Sequence, residues 1–163
     1  MAKMRNGQVE LDKKDYPLLW LLTKNCRAPL KELAKQTGLT INSVFRRIKF
    51  YEEHNVVDKW TADLTVRKMG LALVSYITIK LRSTSGKSYN ELMTFLLNEQ
   101  TVVELSTTMG EFDMFIVIIT KDQRDFEVVT NKIRQTYKNV IDVWDSIPVL
   151  RTYKYNYVKA RTD

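Results

Sequence analysis

The sequence predicts an α+β protein in two parts. A winged helix-turn-helix head is expected over residues 1–60, and a β-α-β-β-α-β domain over residues 71–152. Residues 61–70 are expected to be the hinge and 153–163 a tail. Three observations carry this. Residues 38–57 read as a turn, a cap, an amphipathic basic helix and a stop. A short amphipathic segment, residues 30–35, meets that helix across a turn of roughly three to four residues, the helix-turn-helix spacing. Beyond Gly70 the apolar period alternates between strand and helix in the ferredoxin-like order.

Taken in order, residues 1–10 read as a mobile basic lead-in. A first helix is expected at 11–25, with Leu18, Leu19 and Leu22 inward. Pro17 bears on its start. With Asp12 as cap, the ring falls past the first turn and removes a hydrogen bond; with Asp15 as cap, it sits in the first turn at little cost. A late or frayed start is therefore expected. A second helix follows at 29–36. Gly38 suits a turn with positive φ, and Thr40 is a good N-cap for a third helix at 41–54. Val44, Ile48 and Tyr51 form its apolar stripe. Asn42, Ser43, Arg46, Lys49 and Glu53 lie opposite, at about 100° per residue. Asn55 ends the helix, since it tolerates the left-handed conformation. Residues 56–60 and 62–66 read as two short strands, the wing.

In a helix-turn-helix the second of the paired helices enters the major groove. Asn42, Ser43 and Arg46 are the types that reach base edges there: Asn pairs with adenine, Arg with guanine. Phe45 and Phe50 lie off the apolar stripe. They suit thymine methyls or the DNA backbone, or pack on the wing, and packing is the expectation.

The charge balance agrees. The net charge is +7, with 12 Lys/Arg against 7 Asp/Glu in residues 1–60 and 14 against 12 in the rest. Such a surplus attracts phosphate without conferring sequence preference. The chain is 44% hydrophobic and 28% charged, an ordinary globular composition. No apolar run approaches the roughly 18 residues of a membrane span, and the first 15 residues lack an apolar signal core. A cytoplasmic protein without membrane association is expected. The single cysteine, Cys26, excludes an internal disulfide and a Cys-rich zinc site, and is expected to be a small helix residue. The single histidine, His54, sits where it would favour a helix C-terminus rather than catalyse. With no phosphate loop, zinc spacing or Ser/His/Asp set, neither an enzyme nor a cofactor is expected.

Residues 67–70 mark the change of pattern. Residues 73–81 read as a strand, with Leu73, Ile77, Ile79 and Leu81 on one face and Ser75 interrupting. Residues 83–86 are a turn cluster. Tyr89, Leu92, Met93, Leu96 and Leu97 mark one face of a helix. Strands follow at 102–109 and 113–120, then a helix marked by Phe126, Val129, Ile133 and Tyr137, then a strand at 140–150. Helices cover one face of such a sheet. Residues 114–119 are apolar on both faces, so both need cover. A second copy of the chain is the expected second layer; the alternative is that the head or the tail folds over. Residues 151–163 alternate polar residues and tyrosines and suit an added edge strand or a dimer arm.

Over about residues 11–150 the chain resembles the Lrp/AsnC family, the leucine-responsive or feast/famine transcription regulators. Leu11-Asp12-Lys13-Lys14-Asp15 is similar to the family's Leu-Asp-x-x-Asp, and Asn25-Cys26-Arg27 to its Asn-x-Arg. Glu32-Leu33-Ala34 with Gly38-Leu39-Thr40 is similar to its Glu-Leu-Ala and Gly-Leu-Ser. Arg47-Ile48-Lys49 with Tyr51-Glu52 resembles its Arg-Val-x-x-Leu-Glu. Met109-Gly110-Glu111-Phe112-Asp113 resembles its effector-domain hairpin. Departures are Pro17, Asn55 where glycine is usual, and Lys138-Asn139-Val140 in place of Pro-Gly-Val.

The resemblance implies a homodimer, or a tetramer or octamer of dimers, on pseudo-palindromic double-stranded DNA. In many members it also implies response to an amino acid or related small molecule. The C-terminal domain would then be of the RAM type, for dimerisation and effector binding. The ligand position in the family lies where these domains meet, around the turn between the second and third strands. That turn carries Met109, Gly110, Glu111 and Asp113, preceded by Ser106, Thr107 and Thr108. Gly110 lets backbone approach closely, Glu111 or Asp113 suits an ammonium group, and the hydroxyls add contacts. The same residues also suit a plain hairpin capped by its Asp. Thr40, Arg47 and Lys49 are expected at phosphates. Arg47, on the stripe's flank, equally suits pairing with an acidic neighbour. Two competing functions are a low-specificity architectural DNA binder and an enzyme of the sirohaem-decarboxylase kind. The enzyme would need cationic or imidazole groups around a large pocket, and His54 lies in the wrong domain for that.

Overall fold

The computed structural model describes residues 2–5, 8–62 and 64–153; the expectation of an edge strand or arm at 154–163 lies outside them. The described residues fall into two compact units, 2–62 and Leu64–Tyr153.

The first unit opens on a hairpin where a loose lead-in was expected. Strand β1 (Lys3–Arg5) runs antiparallel to β2 (Gln8–Glu10), with Met4 opposite Val9. Its anchor is Ala2, buried in the same apolar cluster as Leu18, Leu22, Leu33, Val44 and Tyr51.

Helix α1 (Asp15–Lys24) starts late. Asp12 Oδ1 accepts the amides of Lys14 and Asp15 at 2.8 and 3.1 Å, and Asp15 Oδ2 accepts the amide of Asp12 at 2.6 Å. This is a reciprocal cap. Pro17 is the third helical residue, where an amide would have no intrahelical partner, so the ring costs little. The helix ends because Asn25 Oδ1 takes the Arg27 amide at 3.0 Å and turns the chain. Cys26 is therefore not the helix residue expected: it sits in that turn with an exposed thiol.

Helices α2 (Leu30–Thr37) and α3 (Ile41–Glu53) meet across Gly38, at φ 64°. Thr40 Oγ1 accepts the Ser43 amide at 3.2 Å, and Asn55, at φ 53°, closes α3 as expected. The wing strands do not form: 56–62 and 64–66 contain no strand. The amides of Val56 and Val57 both go to the Tyr51 carbonyl, at 2.9 and 3.3 Å, and their side chains pack on the helical core. Their donors close the helix and are lost to a ladder.

In the second unit a 3₁₀ turn, Val66–Met69, precedes β3 (Leu73–Leu81), α4 (Lys87–Asn98), β4 (Val102–Thr107), β5 (Met114–Thr120), α5 (Gln123–Thr136) and β6 (Ile141–Pro148). The sheet order is β4-β5-β3-β6, all antiparallel, the ferredoxin-like arrangement the sequence predicts. Ile77, Ile79, Leu81, Met114, Ile116 and Ile118 pack with Leu92, Leu96 and Ile133 of the helices. Ser75 shares that inward row and is fully buried, its hydroxyl without a hydrogen-bond partner. Leu97, expected inward, is 70% exposed. It lies about 120° from the centre of the buried Leu92–Leu96 pair, whereas Phe95, about 80° away, packs on the core. On the other face, register aligns Tyr76 with Val117 and Ile147, Val74 with Ile119, and Lys80 with Val143.

Candidate nucleic-acid interface and effector turn

Helix α3 carries the expected DNA-reading residues, and its attachment to α1 is ionic as well as apolar. Arg47, on the flank of the apolar stripe, is 4% exposed. Its guanidinium donates to Asp12 Oδ2 at 2.8 Å, to Asp12 Oδ1 at 3.0 Å, and to Asp15 Oδ1. Tyr51, one turn on, donates its hydroxyl to the same Asp15 oxygen at 2.6 Å. The Arg47 hydrogen bond holds the Asp12 carboxyl well below its ordinary range. Burial, followed by the bond to Asp15, pushes the Tyr51 phenol above its own. Of the two roles open to Arg47, the structure gives it the pairing role. A guanidinium held on two carboxylates in the interior does not reach a phosphate, so the phosphate expectation is corrected.

Asp12, Asp15 and Tyr51 are thus positioning residues that motif reasoning about base contacts passes over. Their sequence signal was the acidic pair Asp12-x-x-Asp15 flanking the start of an apolar helix.

The other expected residues lie on or beside the opposite surface. Asn42, Arg46 and Lys49 are exposed, and Ser43 is half-buried at the flank. Thr40 is exposed, and its oxygen is already an acceptor in the cap. Its O–H remains a donor. Lys49 lies 3.6 Å from Glu53, both exposed, a pair weak in water. His54 Nδ1 lies 2.9 Å from the Phe50 carbonyl and its ring stacks on Phe50 at 4.1 Å.

The turn expected to meet an effector is a tight hairpin. Thr108 Oγ1 donates to the Phe112 carbonyl at 2.6 Å, and the Thr108 amide to the Asp113 carbonyl at 2.9 Å. Gly110 has φ 137°, which favours glycine. Asp113 Oδ2 accepts the Leu81 amide at 2.7 Å, beside the register shift of β3 at Lys80/Leu81. One of its oxygens is therefore committed to the fold. Glu111 is exposed, Met109 fully so, and Ser106 and Thr107 lie at the end of β4. An open groove of about 850 Å³ runs along α4, lined by Asn90, Phe95 and Tyr137 among others; it does not include the turn. Among the described residues no group of His, Cys, Asp or Glu could hold a metal ion, and no helix is long and apolar enough to cross a membrane.

Two family profiles match this chain: winged helix-turn-helix DNA-binding over residues 11–58, and Lrp/AsnC ligand binding domain over residues 74–158. The chain belongs to the Lrp/AsnC family. It is a transcription regulator with a helix-turn-helix DNA-binding domain and a ligand-binding domain, not an enzyme. The family's regulator FL11 of Pyrococcus abyssi is 31% identical over 156 residues, covering 90% of this chain and 94% of its own. Regulator LrpA of Pyrococcus horikoshii is 30% identical over 124 residues, covering 76% and 86%. Among solved Lrp/AsnC structures, AsnC of E. coli superposes with a TM-score of 0.79 at 25% identity, covering 93% and 99% of the two chains. A Neisseria meningitidis transcriptional regulator, solved as its L-Met complex, gives 0.84 at 22% identity, covering 90% and 94%.

Proposed function

We propose that this Lrp/AsnC regulator binds a pseudo-palindromic operator as a cytoplasmic homodimer, with α3 in the major groove of each half-site. Asn42, Ser43 and Arg46 read bases; Thr40 and Lys49 hold phosphates. The observation that carries the reading is the division of labour on α3. Its inward side is committed to Asp12, Asp15 and the apolar core, while Asn42, Arg46 and Lys49 stand exposed together on the other. A helix fixed this firmly presents its polar side in one orientation, as base reading requires.

The dimer reading is supported by the second face of the sheet, where Tyr76, Val143 and Ile147 are 37%, 42% and 51% exposed around the nearly buried Val117. An apolar sheet face of this kind needs a second layer. Assembly of dimers into tetramers or octamers belongs to the same proposal.

An amino acid is the proposed effector, bound at the turn between β4 and β5. Glu111 is the acidic group free to meet its ammonium, since Asp113 already serves the Leu81 amide. Ser106, Thr107 and Thr108 flank it. The L-Met complex of the Neisseria protein supports this ligand class. The α4 groove does not reach the turn; in this reading the site is completed between copies.

Selecting duplexes from the source genome with the purified full-length protein tests the proposal. Enriched sites with two-fold symmetry, together with a dimeric mass in sedimentation, support it. A monomer that retains no fragment over competitor at moderate salt ends it, and a dimer that retains all fragments equally favours architectural binding.

A further inference from the structure

The first two turns of α3 expose two large apolar side chains, Ile41 at 47% and Phe45 at 55%. Four residues apart, they form one patch. At about 100° per residue, Ile41, Phe45, Lys49, Asn42 and Arg46 follow one another round a single arc of roughly 140°. The buried Val44, Arg47 and Tyr51 lie opposite.

Helix stability does not ask for these side chains. On an exposed face Ala or Glu makes a better helix than a β-branched or aromatic residue, which loses rotamer freedom against the preceding turn. Nor is the patch covered by the wing that the sequence predicts, because Val56 and Val57 fold onto the core instead. Phe50, the other aromatic off the stripe, is accounted for by its stack on His54. Between Ile41 and Tyr51 the helix carries no carboxylate. Up to that point the arc offers a polyanion only polar, cationic and apolar groups; carboxylates follow only in the last turn, where Glu53 lies 3.6 Å from the Lys49 ammonium. The apolar feature on a base edge in the major groove is the C5-methyl of thymine.

We infer that Ile41 and Phe45 contact thymine methyl groups, making this regulator's preference depend on T beside the bases read by Asn42 and Arg46. The inference rests on the placement of α3 in the major groove proposed above. Phe45 spans the methyl, and Ile41, at the first helical position, closes the contact from the N-terminal side.

The test uses the full-length protein and a duplex enriched from a random-sequence pool, resynthesised with uracil in place of individual thymines. Burying one methyl corresponds to about fourfold in affinity. At one or two thymines per half-site, uracil is expected to weaken wild-type binding by about that factor. Phe45→Ala should lose about the same factor on the thymine duplex and no longer distinguish uracil at the thymine that Phe45 meets. Phe45→Leu should keep the distinction, and Lys49→Ala should keep it while binding more weakly. Wild-type protein indifferent to uracil at every position overturns the inference and leaves operator reading intact, as does Phe45→Ala with full methyl sensitivity. A change in sedimentation of Phe45→Ala with unaltered methyl sensitivity overturns it in favour of a contact between copies. A pool with no enriched sequence overturns both the inference and the operator reading beneath it.

Discussion

Arg47 of α3 and Asp15 at the start of α1 form an ion pair in the interior of the first unit, their side chains 5% and 0% exposed. Asp12 and Tyr51 complete it, at 2.8 Å from the guanidinium and 2.6 Å from the Asp15 carboxylate. The pair joins α3, the helix proposed to meet DNA, to α1 behind it, so changes to it act on orientation as well as on stability.

Removing one partner of a buried ion pair leaves the other uncompensated. Arg47→Ala is expected to cost about 3–5 kcal/mol, read from urea midpoints at neutral pH. The pH limbs follow from the shifts. Asp12 is held below its ordinary 3.8 by Arg47, so it contributes stability above that value, lost as pH falls below it. Tyr51 is pushed above its ordinary 10.0, first by burial. It contributes stability below pH 10, lost as pH rises further. Arg47→Ala should therefore flatten the acid limb and Tyr51→Phe the alkaline one. Unchanged limbs in both variants would show that the pair contributes nothing to linkage.

Arg46 and Lys49 are expected to fail differently. Arg46→Ala should cost about 1–3 kcal/mol on the selected operator and little on random DNA, flattening preference at one position. Lys49→Ala should weaken both alike and lower the salt slope by about one. Equal losses on operator and random DNA for Arg46→Ala would remove it from base reading, and an unchanged slope would remove Lys49 from the phosphates.

At the proposed effector turn, Gly110→Val places a branched residue at φ 137°, where L side chains are strained. Operator binding without effector should survive, and its shift on adding the responsive amino acid should vanish. Because the substitution strains the hairpin, Glu111→Gln serves as a second probe: the fold is untouched, and amino-acid affinity should fall about tenfold with loss of a charge-assisted bond. Titrating the common amino acids against operator affinity reads both, and a normal response in both retires the turn as the site.

The open face of the sheet predicts the assembly state. Ile147 is 51% exposed, so Ile147→Glu should leave the second unit folded by circular dichroism. A carboxylate in the proposed apolar interface should split the proposed dimer, halving the mass in sedimentation, and operator affinity should drop because half-sites are then bound singly. A dimer of normal mass would move the interface elsewhere.

Much of this protein was legible in its sequence, because the signals were local. Thr40 and Asn55 set the ends of α3 through side-chain and backbone preferences of their own. The alternation along 73–81 and the double-faced apolar run at 114–119 marked two strands, the second needing cover on both faces; the sheet order then put both at its centre. The family motifs were likewise contiguous, and they carried the family assignment. Tertiary structure decided what depends on residues far apart. Whether Arg47 faced a phosphate or a carboxylate depended on where Asp12 and Asp15 came to rest, and a charge sheltered from water takes the partner that satisfies it. Val56 and Val57 have strand-forming side chains, yet the Tyr51 carbonyl and the apolar core claimed them, and the wing was lost to that competition. The pairing of β1 with β2 accompanies the burial of Ala2 in the cluster of Leu18, Leu33 and Tyr51, a burial that no feature of the first ten residues announces. Local preference sets where elements start and stop; competition for buried partners sets what their side chains do.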